Sequence, residues 1–285
     1  MKSKTPNSIA LLLGAATIGW VDGGCSPPAS PYPDVTSFCA AKAKAECQVA
    51  LVCAIDQGAC AEYRAGLCEQ DAANAIASGI RMYDSANVPA CLAVLNSAYG
   101  NESSKILFDQ LFGSGSITDL CERVFSGGVV KDDPCESDYD CSEELICSPV
   151  LPGSAMSICA PATDLTAGAY CSDPGSVCPT DTYCSNNGGA YECQPSAEAG
   201  APCSSAPPCV STERCVDAVC TGRAAAGLTC ATNDDCAPEA PYCDPNAGNI
   251  CTIGLTFAAG SFDCKAYLPG GPGAAPDGGS DASGD

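Results

Sequence analysis

Apolar side chains are spread unevenly along the 285 residues, and their pattern divides the chain into several stretches. A short apolar run from Ile9 to Val21 follows Lys2 and Lys4, which is the order of charge and hydrophobicity found in secretory signals. The run is shorter than the roughly 20 apolar residues that a comfortable transmembrane helix needs. We therefore predict a signal peptide over residues 1–24 that is removed on export.

Residues 36–125 show helix-like apolar spacing, Ala-rich runs and few prolines, which predicts a separate, disulfide-stapled helical domain. Thr36 and Ser37 are candidate caps of a first helix, and residues 60–80 are expected to form a second. A third helix is expected to start near Asn87.

Residues 105–112 are also expected to be helical. The large apolar side chains of this part of the chain are interpreted as core and not as a binding site. They are Met82, Tyr83, Leu107, Phe108, Leu111 and Phe112.

Two pairs of cysteines in the helical domain are spaced eight residues apart, a little over two helical turns. Each pair therefore lies near one stripe of its helix, and two antiparallel helices can be stapled through them. The bridges predicted on this basis are Cys39 with Cys68, Cys47 with Cys60, and Cys53 with Cys91.

Beyond residue 126 the chain contains few side chains that could form an apolar core. From Cys135 to Cys264 there are only 16 Leu, Ile, Val and Phe residues, too few for a self-sufficient core. Cysteines recur there in blocks of four, with five or six residues between the first three of each block. The blocks are Cys135, Cys141, Cys147 and Cys159; Cys171, Cys178, Cys184 and Cys193; Cys203, Cys209, Cys215 and Cys220; and Cys230, Cys236, Cys243 and Cys251.

A cysteine-rich repeat region is thus predicted over residues 126–268, with modules at about 135–159, 171–193, 203–220 and 230–251. Three of the blocks have a glycine three residues before their first cysteine: Gly168, Gly200 and Gly227. Cys264 is interpreted as the opening of a truncated fifth block. Parity requires that Cys121 belongs with the repeats or that one bridge joins the two halves, and we favour the first.

Composition places the chain in an oxidising compartment, because 25 cysteines are typical of disulfide scaffolds and not of reduced cytosol. The formal charge of -22 repels phosphate backbones, so nucleic acid is not an expected partner. The predicted fold is disulfide-rich: a small all-α N-terminal domain followed by an array of small, loop-rich, cysteine-knot-like modules with short β-strands.

Gly23 and Gly24 precede Cys25 at the end of the apolar run, which resembles a bacterial lipoprotein signal in which that cysteine is acylated. Setting Cys25 aside leaves 24 cysteines, an even number that can pair completely. Asp22 stands where the lipoprotein pattern prefers an apolar residue, and simple secretion is the alternative. Residues 25–35 are expected to be a proline-rich linker, and residues 269–285 a disordered acidic tail.

The blocks "CESDYDCSEELIC" and "CATNDDCAPEAPYC" resemble the Dickkopf N-terminal cysteine-rich module. The wider layout, with "SGIRMYDSANVPACLAVL" and "CERVFSGG" before the blocks, is similar to myxobacterial lipoproteins that carry such modules. The resemblance implies an envelope protein built from small disulfide knots. The Wnt antagonism of the animal proteins does not transfer, and neither does any individual functional residue.

The sequence contains no recognisable catalytic motif. The chain contains no histidine, which removes the commonest catalytic base and the HExxH zinc motif, and no P-loop occurs. Cys-x-x-Cys pairs are absent, so disulfides are favoured over zinc. We assign no catalytic, cofactor-binding or metal-ligating residue.

The acidic turns Asp138 with Asp140 and Asp234 with Asp235 are interpreted as solvated turn residues and not as Ca²⁺ ligands, because a complete twelve-residue calcium loop is missing. The pairs Asp132 with Asp133 and Glu143 with Glu144 could serve as acid–base groups only if partly buried in a cleft, which this loop-rich region gives little reason to expect.

The leading functional hypothesis is a non-enzymatic envelope lipoprotein, attached to a bacterial outer membrane or cell surface through Cys25, whose modules contact a protein or glycan or serve a structural role. The alternative is a secreted protease inhibitor presenting Arg214 or Arg223 on a rigid loop. A third hypothesis, a metal store, requires free thiols.

Overall fold

A computed structural model describes residues 30–100, 104–142, 144–203 and 207–269. The predicted signal, Cys25 and all but the first residue of the predicted tail lie outside these residues. The helices are α1 (Val35–Glu46), α2 (Ala50–Cys53), α3 (Gln57–Ala77), α4 (Val88–Tyr99), α5 (Phe108–Leu111), α6 (Ile117–Glu122) and α7 (Phe262–Lys265). Short 3-10 turns cover Cys47–Val49, Asp138–Asp140, Asn233–Asp235 and Pro245–Ala247.

The strands are short and lie in small sheets. They are β1 (Arg81–Tyr83), β2 (Lys105–Leu107), β3 (Phe125–Gly127), β4 (Pro134–Cys135), β5 (Leu145–Pro149), β6 (Ser157–Pro161), β7 (Thr163–Asp164), β8 (Ser176–Val177), β9 (Thr182–Asn187), β10 (Ala190–Pro195), β11 (Glu213–Val216), β12 (Val219–Gly222), β13 (Tyr242–Asp244), β14 (Ile250–Thr252) and β15 (Gly254–Thr256). A disulfide-rich, loop-rich fold with a helical N-terminal region is confirmed.

The first helix is capped by Asp34 and not by Thr36. The Ser37 backbone N–H donates to Asp34 Oδ1 at 2.8 Å, and the Asp34 N–H donates to Ser37 Oγ at 3.3 Å. This reciprocal capping box satisfies donors at the start of α1. Ser37 therefore contributes to the cap from the third helical position, while Thr36 lies inside the helix.

Helices α1 and α3 pack together and are stapled by Cys39–Cys68 and Cys47–Cys60, so both predicted bridges are confirmed. The third predicted bridge is wrong. Cys91 of α4 pairs with Cys121 of α6, which also corrects the assignment of Cys121 to the repeats. Spacing identified partners within one helix pair but carried no information about which later element packs against α4.

Residues 105–112 form strand β2 and the single helical turn α5 instead of one helix. The reason is a partner from the far end of the chain: β2 pairs antiparallel with β15, and Ile106 lies opposite Leu255. Alternation along the short strands also corrects two predicted core residues. Met82 on β1 is 67% exposed and Leu107 on β2 is 36% exposed, because each points away from the core.

The core of the helical unit, residues 34–127, is a single apolar cluster that includes Phe38, Val49 and Leu95. Side chains from residues 253–268, which we call the return segment, belong to the same cluster. Its members Leu255, Phe257 and Tyr267 are buried among those helices.

Cys264 in α7 pairs with Cys53 in α2 across 211 positions of sequence. Cys264 therefore ties the return segment covalently to the helical unit and is not the opening of a fifth module. At Gly254 an added Cβ would lie 2.1 Å from the Ile106 carbonyl oxygen, so the return strand approaches β2 as closely as only glycine allows. The chain leaves the helical unit after β3 and comes back to it at β15.

Between these points lies the array, residues 128–252, in which the modules share one covalent plan. The first cysteine of each module pairs with the third and the second with the fourth. The third and fourth cysteines also face one another across a β-hairpin. These opposed pairs are Cys147 and Cys159, Cys184 and Cys193, Cys215 and Cys220, and Cys243 and Cys251.

The residue three positions before the first cysteine adopts positive φ in all four modules and donates its N–H to the carbonyl of the fourth cysteine. Glycine occupies this position in modules two to four, as Gly168, Gly200 and Gly227. In the first module Asp132 takes the same conformation, with φ of 73° and a 2.9 Å bond to the Cys159 carbonyl. The first module therefore shares this backbone conformation and hydrogen bond although it has no glycine at the position.

Candidate binding sites

All 24 cysteines predicted to pair lie in the twelve disulfides of the described residues. Four groups of three cysteines bring their sulfur atoms within 4.8 Å of one another, one group in each module. Every one of these sulfurs is already bonded to another sulfur. The crowding therefore reflects two interleaved bridges and not a thiolate metal site, since only thiolates are good metal ligands.

Two of the acidic turn residues are buried and structural, which corrects their interpretation as solvated. Asp140 Oδ2 accepts the N–H groups of Glu136 and Ser137, each at 2.9 Å. Asp235 Oδ2 accepts those of Ala231 and Thr232, at 2.5 and 3.0 Å. Each carboxylate thus fixes the 3-10 turn that precedes the second cysteine of its module.

The pKa values of both capping carboxylates are lowered. For Asp140, burial raises the pKa but is outweighed by the hydrogen bond from Arg81 and by the backbone donors. For Asp235, the backbone N–H groups of Ala231 and Thr232 are the main cause. Both groups are held as carboxylates by their donors, which favours a structural role.

Neither arginine proposed as an inhibitor loop residue is presented freely. Arg214 Nη1 forms an ion pair with Asp235 Oδ1, and Arg223 Nη1 contacts the Asp234 carboxylate at 2.7 Å. Arg223 also donates to the Glu213 carbonyl at 3.2 Å. The two arginines join the third module to the fourth.

The other junctions of the array are also closed by specific contacts. Arg81 Nε, on β1 of the helical unit, lies 2.7 Å from Asp140 Oδ1 of the first module. The Gly175 N–H of the second module donates to Ser148 Oγ of the first at 2.8 Å. The Ser211 N–H of the third donates to Asp181 Oδ1 of the second at 2.7 Å. The array is held in a defined arrangement from one end to the other.

Each module offers a pair of facing residues at one equivalent position, immediately before its first and fourth cysteines. We call these four pairs the contact edge: Pro134 with Ile158, Tyr170 with Glu192, Pro202 with Val219, and Thr229 with Ile250. One member of every pair is exposed, and each pair contains an apolar side chain. Tyr170 is 69% exposed and Val219 is 41% exposed.

A second candidate site is an interior cleft of about 220 Å³ where the return segment meets the helices and the fourth module. Its walls are mostly aromatic and aliphatic. They include Tyr99, Leu111, Phe112, Ile117, Tyr242, Leu255, Phe262 and Tyr267. Three charged side chains line the cleft: Glu46 and Arg64, which belong to a buried ion cluster, and Asp263.

The ion cluster consists of Lys42, Glu46 and Arg64. Glu46 Oε1 lies 2.7 Å from Lys42 Nζ, and Glu46 Oε2 lies 2.7 Å from Arg64 Nε. Burial raises the pKa of Glu46, but the two cations outweigh it and hold the value at about 2. Arg64 also stacks 5.3 Å above the ring centroid of Tyr267, so its charge is engaged on two sides.

Asp263 is 5% exposed and is held by neutral donors. Tyr242 Oη donates to its Oδ1 at 2.9 Å, and Asn246 Nδ2 donates to its Oδ2 at 2.9 Å. Burial and the nearby charge of Asp244 raise the pKa of Asp263. Sequence reasoning missed this residue, because nothing near Cys264 indicated that the segment turns back into the helical core.

No family model, curated protein or solved structure matches this chain. Within the ranges that the structure describes, no helix is long and apolar enough to cross a membrane.

Proposed function

We propose that this protein is an exported, non-enzymatic envelope protein that is anchored to a bacterial membrane through a lipid on Cys25 and contacts a protein or glycan through the array. The contact edge carries this proposal. It repeats, at one position in every module, a facing pair that has an exposed member and contains an apolar side chain, and the closed junctions hold the four copies in fixed relation. Several weak contacts on one rigid frame bind much more tightly than one.

A protein is the favoured partner because three of the four pairs are aliphatic or contain proline, whereas only Tyr170 offers a ring on which a sugar could stack. Twelve disulfides indicate an oxidising compartment outside the cytoplasm. The lack of histidine anywhere in the chain supports a binding role over a catalytic one. The inhibitor alternative loses support because Arg214 and Arg223 are both engaged inside the array.

The proposal is tested by capture from envelope extracts with the immobilised mature protein, compared with a Tyr170→Ser/Val219→Ser variant. We expect the variant to lose most of the captured partner. Met82→Ser is the matched control, because Met82 is equally exposed but lies on the helical unit. A partner retained by the double variant would refute the role of the contact edge.

Anchoring has its own test, which is mass spectrometry of the mature N-terminus. A diacylglycerol on Cys25 is the expected result. An unmodified N-terminus at another residue would refute the anchor and leave the binding role unaffected.

A further inference from the structure

The interior cleft combines an uncompensated buried charge with aromatic walls. Glu46, Arg64 and Asp263 line it. Lys42 contacts Glu46, and Asp244 is close enough to Asp263 to raise its pKa. All five side chains are buried. These charges sum to -1. Burying a charge without an opposite partner is costly, so a site of this kind favours a cation.

The imbalance is localised at Asp263. Glu46 contacts both cations of the ion cluster, whereas the partners of Asp263 are a phenol, an amide and the Thr256 backbone. Among the described residues, no lysine or arginine forms an ion pair with Asp263. Both of its oxygens accept hydrogen bonds from neutral donors, which support an ionised carboxylate without neutralising its charge.

The rings around Asp263 match the same kind of ligand. Tyr242 and Phe262 line the cleft beside the carboxylate, and Tyr99 and Tyr267 line it further in. Aromatic faces attract ammonium groups through their quadrupoles, and removal of the site from water strengthens that attraction. Leu111 and Leu255 supply apolar surface for the rest of a ligand.

We propose that the cleft binds a small organic cation whose ammonium group faces Asp263 and whose apolar body packs against the aromatic walls. This site is separate from the contact edge, so either proposal can fail without the other. The cleft depends on the return segment, which supplies Leu255, Phe262, Asp263 and Tyr267.

The first experiment needs no variant. Choline and its neutral isostere 3,3-dimethylbutan-1-ol are titrated by calorimetry into the oxidised full-length mature protein. Choline is expected to bind in the millimolar range or tighter, and the isostere at least tenfold more weakly. Equal binding of the two, or no binding of choline, would overturn the proposal.

The second experiment assigns the charge to one residue. Asp263→Asn is expected to lower choline affinity at least tenfold without changing the affinity of the isostere. Asp140→Asn is the matched control, because Asp140 is an equally buried carboxylate in the first module, away from the cleft. Loss of choline binding in both variants would mean that choline responds to the net charge of the protein and not to Asp263 in the cleft, and would overturn the assignment.

Phosphatidylcholine vesicles, which carry the same ammonium group on a membrane, are titrated in parallel into mature protein prepared without a lipid on Cys25, so that the lipid cannot itself cause vesicle binding. Binding of choline without vesicles supports a free cation, and binding of vesicles that Asp263→Asn abolishes supports a lipid headgroup. Vesicle binding that Asp263→Asn leaves unchanged would count against the cleft.

Discussion

In the helical unit, Phe38, Val49 and Leu95 are buried in one extensive apolar cluster, whereas the two clusters of the array consist almost entirely of cysteine and alanine. The helices bring apolar stripes together and the disulfides reinforce a core that packing already builds. The modules bury little besides the bridges themselves. The same covalent bond therefore supplements packing in one region and replaces it in the other.

The comparison explains why the array needs closed junctions and two fixed ends. Modules without a core of their own have no apolar face with which to dock on their neighbours. The observed junctions use ion pairs and single hydrogen bonds, such as Arg81 with Asp140 and Ser148 with Gly175. These contacts bury little apolar surface. The return segment adds it, because it inserts apolar side chains from the end of the array into the helical core.

The largest effect is expected from removing the disulfide that joins the helical unit to the return segment at the end of the array. Cys53→Ala/Cys264→Ala removes a bridge that spans 211 positions, and closure of a loop of this length is worth about 5 kcal/mol in the chain-entropy model. We expect residues 253–268 to lose amide protection in hydrogen exchange, while the second and third modules keep theirs.

The control for this link is Cys91→Ala/Cys121→Ala, which removes a bridge of separation 30 inside the helical unit. It should leave the return segment protected. Full protection of residues 253–268 in the Cys53/Cys264 variant would mean that apolar burial alone holds them.

Two disulfides of similar sequence separation test directly whether a bridge reinforces an apolar core in the helical unit and replaces one in the array. Cys47–Cys60 in the helical unit has a separation of 13 and Cys203–Cys215 in the third module has one of 12. Chain entropy assigns each about 3 kcal/mol. Replacing Cys203 and Cys215 by alanine should abolish protection throughout the third module, because no core remains there.

Replacing Cys47 and Cys60 by alanine should lower the stability of the helical unit but leave α1 and α3 protected. Hydrogen exchange of both variants under the same conditions makes the comparison. Equal loss of local protection in the two regions would contradict it.

The sequence predicted the parts of this fold that depend on local spacing. Cys39–Cys68 and Cys47–Cys60 followed from the helical period, and the recurrence of four cysteines identified the modules. It failed where an element's partner is distant. Nothing around Cys53 or residues 105–112 records that the chain returns from residue 253 to pair with them. Nothing around Cys91 records that its partner is Cys121 on α6.

The candidate sites were less predictable than the fold for the same reason. The contact edge depends on which residues face each other across hairpins, and the cleft on a segment assigned to a fifth module. A local signal did exist for part of the ion cluster, because Lys42 and Glu46 are four positions apart on one helix. Arg64 and Asp263 come from other elements, so only the tertiary structure brings them to the cleft.

Acid is expected to act on the helical unit through Glu46. Its pKa lies at about 2 in the folded protein, below its ordinary value of 4.5. The ionised Glu46 carboxylate therefore contributes its full share to the free energy of unfolding above pH 4.5. That contribution, up to about 3 kcal/mol, is lost as the pH falls towards 2. Thermal unfolding followed by far-UV circular dichroism should show the helical midpoint falling across this range.

Glu46→Gln is the control for this dependence, because the amide does not titrate. The variant should be less stable at neutral pH, since it removes the carboxylate that Lys42 and Arg64 both contact, and its midpoint should fall less steeply with acid. A slope equal to that of the unaltered protein would assign the acid sensitivity to other carboxylates, such as Asp140.

The smallest effect tests whether the four modules are equivalent. Asp132 holds the positive φ that Gly168, Gly200 and Gly227 adopt elsewhere. Asp132→Gly relieves the steric cost of this conformation but adds entropy to the unfolded chain, so we expect stability to change by no more than about 0.5 kcal/mol. Asp132→Val should cost about 1 to 2 kcal/mol, because a β-branched side chain is poorly tolerated there.

Amide exchange at Cys159, whose N–H donates to the Asp133 carbonyl at 3.0 Å, reports on this turn. If Asp132→Gly weakened the protection of Cys159 as much as Asp132→Val, the aspartate side chain would have a role beyond tolerating the left-handed backbone. The first module would then differ from the other three at the position where their backbones coincide. Gly200→Val gives the reference value for the same steric penalty in a module that has glycine at this position.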